Sequence, residues 1–203
     1  LAMQGLLNDG DEILIPAPDY PLWTAAAKLA GGTPVHYICD EKSNWYPDIE
    51  DMEKKINSRT KGIVIINPNN PTGLSLPVSE IERIVAKNPH RMVIIDEAYV
   101  DYGNESCLPL VQKYDNLVVV QTFSKSRNMP GARIGFAISS KGIIEDMNKI
   151  KFTFNPFNMS SLAIAGGTAA IKDQEYFHKC VAEVIRIREE FEDELSELGF
   201  EVI

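Results

Sequence analysis

Uninterrupted apolar runs constrain this chain more than any other feature. Gly62-Ile-Val-Ile-Ile66 lacks the in-and-out alternation of a half-exposed strand, and Met92-Val-Ile-Ile95 and Leu117-Val-Val-Val-Gln121 repeat the pattern. Such strands fit a sheet covered on both faces, which is the situation of parallel strands. Glu12 to Ile15 and Thr33 to Tyr37 are shorter strands, and Ile134 to Ile138 is a strand by composition. Helical segments lie between them: Leu22 to Ala30, ended by Gly31-Gly32; Asp48 to Ile56; and Val78 to Ala86. Leu1 to Leu7 reads as the end of an amphipathic helix, and everything from Lys141 onward as helix, with a long amphipathic run from Glu175 to Leu198. Strands alternating with helices from Glu12 to Gln121 predict an α/β fold with a mostly parallel sheet sandwiched between helices.

The 203 residues carry 20 Lys+Arg against 29 Asp+Glu, a net charge of −9. That balance argues against a nucleic-acid or anionic-membrane surface. No apolar run approaches the roughly 18 residues that suggest a membrane span, so a soluble, cytoplasmic protein is the expectation. Cys39, Cys107 and Cys180 are odd in number and far apart, and His36, His90 and His178 are equally scattered. Neither a disulfide framework, a metal site nor a Ser/His/Asp triad is expected from them.

In open α/β sheets the ligand site lies beyond the carboxyl ends of the strands. Four polar segments occupy such places: Pro16-Ala-Pro-Asp-Tyr-Pro21, Asn67-Pro-Asn-Asn-Pro-Thr-Gly73, Asp96-Glu-Ala-Tyr99, and Gln121-Thr-Phe-Ser-Lys125. Each residue also has a plain structural reading. Asn70 suits a turn, Asp96 a helix cap, Tyr99 a core position, Lys125 a surface loop, Arg133 an exposed charge before a strand, and Tyr20 a plug beside Pro18 and Pro21.

Together, in this order, the motifs resemble those of the class I/II aminotransferases, enzymes of fold type I that use pyridoxal phosphate (PLP). The resemblance covers essentially the whole chain. Leu6 to Gly73 is most similar to the alanine-type branch, through Pro-Ala-Pro-Asp-Tyr-Pro-Leu-Trp. Ile94 to Ile203 is more similar to histidinol-phosphate aminotransferases of histidine biosynthesis, through Asp-Glu-Ala-Tyr-Val-Asp-Tyr and Thr-Phe-Ser-Lys-Ser-Arg.

The resemblance implies a role for each residue. Lys125 is the catalytic lysine, which links to the cofactor aldehyde and acts as general base. Asp96 faces the pyridine nitrogen and keeps it protonated. Tyr99 and Asn70 hydrogen-bond the phenolic oxygen, Thr122, Ser124 and Arg133 hold the phosphate, and Tyr20 stacks on the ring. It implies small amino-acid and 2-oxo-acid substrates and a homodimer. PLP-dependent lyases and decarboxylases use the same constellation, and a binding module without turnover is a third reading for the chain as it stands. By the family pattern, residues 1–203 correspond to the large cofactor-binding domain. A Gly-rich phosphate turn is expected before Leu1, and the small domain with its carboxylate-binding arginine after Ile203.

Overall fold

The computed structural model of the protein describes residues 1–202. Six strands form one sheet: β1 (Glu12–Ala17), β2 (Thr33–Ile38), β3 (Thr60–Ile66), β4 (Met92–Asp96), β5 (Leu117–Thr122) and β6 (Gly135–Ser139). Their order is β2-β1-β3-β4-β5-β6, parallel throughout except for the antiparallel β5/β6 pair. Among the described residues seven α-helices accompany them: α1 (Ala2–Leu6), α2 (Leu22–Leu29), α3 (Ile49–Lys55), α4 (Val78–Lys87), α5 (Lys141–Phe154), α6 (Ser161–Lys172) and α7 (Gln174–Glu197).

The apolar runs divide their residues between two cores. Ile63, Ile65, Val93, Ile95, Leu117 and Val119 pack on one face with Met52 of α3 and Ile81, Ile84 and Val85 of α4. Val64, Ile66, Ile94 and Val118 face the other way, against Met3 of α1, Ala27 and Trp23 of α2, and Ile143 of α5. Side chains alternate across a strand, so a strand apolar at every position must bury both faces. A third cluster of Phe123, Ile134 and Ala163 joins α6 to the end of β5.

Three expectations need correction. Pro16 and Ala17 belong to β1, pairing with Tyr37 and Ile38, where a loop from Pro16 to Pro21 is expected. The β1/β3 ladder ends at Leu14, so the proline's missing N–H costs that ladder no bond. The last strand begins at Gly135; the Ile134 carbonyl instead accepts from Phe123 N at 3.1 Å. The region after Lys141 is three helices, broken at residues 155–160 around Pro156 and at Asp173. Ser160 and Asp173 restart the chain as N-caps, accepting from Ala163 N and Tyr176 N at 3.1 Å each.

Candidate active site

All eight residues singled out in the sequence line one open pocket of about 340 Å³: Tyr20, Asn70, Asp96, Tyr99, Thr122, Ser124, Lys125 and Arg133. It lies at the carboxyl ends of β3, β4 and β5, with Tyr20 and Trp23 reaching it from the segment after β1, at the edge where open α/β sheets bind ligands.

The Asn67–Gly73 loop divides labour among its asparagines. Asn67 is buried and accepts from Leu76 N at 2.7 Å, while Asn69 accepts from Thr72 N and Oγ1 at 3.3 and 3.2 Å. Asn70 takes part in neither network, and it is Asn70 that lines the pocket.

Asp96 closes β4. Its Oδ2 accepts from Trp23 Nε1 at 2.7 Å and its Oδ1 from Ala98 N at 3.1 Å. Burial raises its carboxyl above the usual carboxylate range, and the two donors act against that rise. The hydrogen bond donated by the Ala98 N–H means that Asp96 does cap the following turn, while its side chain also lines the pocket.

Asp96 is paired across the ladder with Val120, two residues before Thr122. The Thr122 hydroxyl therefore sits about 7 Å farther along the strand direction than the carboxylate's register position. Thr122 Oγ1 lies 3.0 Å from Ser124 Oγ and accepts from Ser124 N at 3.1 Å. Arg133, in the left-handed region at φ 54°, stands just before β6 and donates to the Pro130 carbonyl at 2.9 Å. Lys125 Nζ lies 4.8 Å from the centre of the Tyr99 ring. Tyr20 is 52% exposed, too open to serve as a core plug.

The loop carrying Lys125 is fastened on both sides. Ser126 donates to Asp101, and Arg127 donates to the Ala170 carbonyl at 3.0 Å with its guanidinium 3.5 Å over the Phe177 ring. Glu97, beside Asp96, is turned away and buried; it accepts from Ser106 Oγ at 2.7 Å, Gln121 Nε2 at 2.8 Å and Cys107 N at 2.6 Å. Cys39 and Cys107 are buried thiols, and Cys180 is half-buried.

Trp23 and Gln121 line the pocket too; both fall within the sequence motifs, where neither is assigned a role. The signal available for Trp23 was its place at the start of α2, one turn after Tyr20, on a loop leaving a strand's carboxyl end. Among the described residues no cluster of His, Cys, Asp and Glu could hold a metal, and no helix is long and apolar enough to cross a membrane.

A mostly parallel sheet covered on both faces, with an amine, a desolvated carboxylate, two hydroxyls and a guanidinium lining one pocket at its carboxyl edge, has the architecture of the fold type I aminotransferases. The chain belongs to the aminotransferase class I and II family, whose profile matches residues 1–203. It is 50% identical over 202 residues to histidinol-phosphate aminotransferase from Lactococcus lactis subsp. lactis, covering 100% of this chain and 54% of that protein. It is 44% identical to histidinol-phosphate aminotransferase 2 from Rhizobium meliloti, covering 98% of this chain and 55% of the relative. A crystal structure of aspartate aminotransferase from Thermotoga maritima superposes with a TM-score of 0.88 at 27% identity, over 98% of this chain and 54% of that one. The chain thus spans about half the length of the curated relatives it matches. The histidinol-phosphate relatives match the first half of the chain as well as the second, and the alanine-type likeness expected for Leu6 to Gly73 is not among these matches.

Proposed function

We propose that this chain is the large, cofactor-binding part of a PLP-dependent aminotransferase that takes histidinol phosphate as amino donor and a 2-oxo acid as acceptor. One observation carries the reading: residues spread from Tyr20 to Arg133 meet in a single pocket at the sheet's carboxyl edge. The donor set fits PLP. Two hydroxyls and a guanidinium suit a phosphate, a desolvated carboxylate suits a protonated pyridine nitrogen, and an amine suits an aldehyde.

When bound, PLP supplies the aldehyde and an electron-withdrawing ring that takes up the electron pair left when the substrate's α-proton departs. Lys125 Nζ would anchor the cofactor and, released as a free amine when the substrate amine takes its place on the aldehyde carbon, would take up the α-proton and hand it on. The Asp96 carboxylate holds a proton on the ring nitrogen, and low water access strengthens that pairing. Asn70 and Tyr99 would hydrogen-bond the cofactor's phenolic oxygen, and Tyr20 would stack on its ring. Thr122, Ser124 and Arg133 hold the phosphate, so that the amine of Lys125 stays aligned through the proton transfers. Exposed Phe152, Phe154, Phe157 and Leu162 suit an apolar interface, in keeping with a homodimer.

PLP added to the chain should give a visible absorption band, and borohydride should then fix the cofactor on Lys125, as read by mass spectrometry of peptides. Lys125→Ala should lose both. Labelling of Lys151 or Lys141 in place of Lys125 would overturn the assignment. In the protein carrying this chain, histidinol phosphate should bleach the band at lower concentration than alanine does.

A further inference from the structure

Trp23 stands outside every role assigned above, yet it makes the shortest hydrogen bond to Asp96. Its indole body packs on the core cluster of Ile13, Ile15, Ala27 and Ile66, and its backbone N–H bonds to the Tyr20 carbonyl at 3.2 Å. Packing against this core restricts the indole, while the turn into α2 holds the backbone that carries it. The indole N–H meets a carboxylate 73 residues farther along the chain at 2.7 Å.

We infer that Trp23 is the positioning residue of Asp96: its indole N–H fixes Oδ2, holds the carboxylate plane, and favours the ionised form that a cationic ring nitrogen requires. The role rests on the PLP reading of the pocket.

The surroundings leave Trp23 this task. Asp96 has lost water to burial, and the charge it carries is met by two neutral donors, Trp23 Nε1 and Ala98 N. The other titratable groups lining the pocket are Tyr20, Tyr99, Lys125 and Arg133. None of them hydrogen-bonds Asp96: Lys125 rests over the Tyr99 ring and Arg133 on the Pro130 carbonyl. Glu97, next in the chain, is occupied by Ser106, Gln121 and Cys107. The Ala98 amide grips only Oδ1, so without the indole the second oxygen would have no protein donor. A tryptophan that merely fills space would leave Asp96 titrating as before once its N–H is removed.

The test reads Asp96 first without cofactor. In the ligand-free chain the protonated-carboxyl infrared band of Asp96, identified by its loss in Asp96→Asn, is followed against pH. Two changes remove the donor: Trp23→Phe, and 3-benzothienylalanine at position 23, which keeps the bicyclic shape with sulfur in place of N–H. Both should move the Asp96 midpoint up by about one unit, the size expected for losing a hydrogen bond to a charged group. In the unsubstituted chain the Trp23 indole proton should shift downfield in NMR as Asp96 ionises, and this dependence should vanish in Asp96→Asn. PLP affinity of the benzothienyl variant should fall about ten-fold, with Lys125 still the labelled lysine.

An unmoved midpoint in the benzothienyl variant, or an indole proton indifferent to Asp96, overturns the role of Trp23. Should Trp23→Phe fail to fold, the isostere and the indole proton decide. An unsubstituted chain that takes no PLP on Lys125 overturns the cofactor reading instead, and the infrared titration still reports whether Trp23 and Asp96 are coupled.

Discussion

Asp96→Asn separates a cofactor ligand from a turn cap. An amide keeps the shape of the side chain but has only one accepting oxygen. Either Trp23 Nε1 or Ala98 N, at 2.7 and 3.1 Å in the native chain, must then face an NH2 group. One lost bond to a buried donor costs about 1 to 3 kcal/mol. Against this stands the removal of a charge that burial penalises. The folded-state value of Asp96 is raised above 3.8, so its contribution to stability is fully present below that pH and is lost as pH rises through the folded value. Asparagine suffers no such loss. The ligand-free variant should therefore be destabilised most near pH 4, and its deficit should shrink by pH 8. Cofactor binding should respond in the opposite sense. Removing one partner of a desolvated charge pair costs about 2 to 5 kcal/mol, roughly 30-fold to several thousand-fold in affinity. Urea unfolding at the two pH values and a PLP titration at pH 8 measure both effects. A variant that binds PLP like the unsubstituted chain, with a stability deficit that grows with pH, would refute the reasoning and leave Asp96 a cap.

Glu97→Ala should act on stability and little on chemistry. It leaves three donors without their acceptor and opens a void, a loss of about 3 to 5 kcal/mol by urea unfolding, with Lys125 still labelled by PLP in the folded fraction. The thiols should sort by burial: Cys39 and Cys107 are both pushed up to about 12, by burial foremost and in Cys107 also by the Glu97 carboxylate. At pH 8 a disulfide reagent should modify Cys180 quickly in the folded chain, and all three cysteines only after denaturation.

The strands that were legible in the sequence are those whose burial leaves no choice of residue: Ile63 to Ile66, Val93 to Ile95 and Leu117 to Val119 have a core on either side. The pocket residues were legible because polar side chains directly follow these runs, and a strand's end can place them only at the sheet's edge. Pro16 hid the end of β1, since a proline in a strand is tolerable only where a neighbouring ladder has stopped, and that depends on β3. The reversed direction of β6 was equally hidden. Residues 123–134 join it to β5 without a crossover helix, which forces an antiparallel return, but Gly135 to Ser139 carry no mark of direction. Trp23 escaped notice because its partner is distant in sequence and its packing is that of any core aromatic.

The backbone pairing beneath the pocket has a consequence for the free energy of ligand capture. The strand ends that floor it are held by their own ladders: β3 keeps its pairing with β4 through Ile66 and Asp96, and β4 keeps its own with β5 through Val120. No ladder must be broken to admit a guest. Association can then keep most of its contact energy, where a collapsed site would spend part of it on reopening. Truncating Tyr20 or Tyr99 should accordingly enlarge the cavity without closing it, leaving a receptive edge whose shape belongs to the sheet.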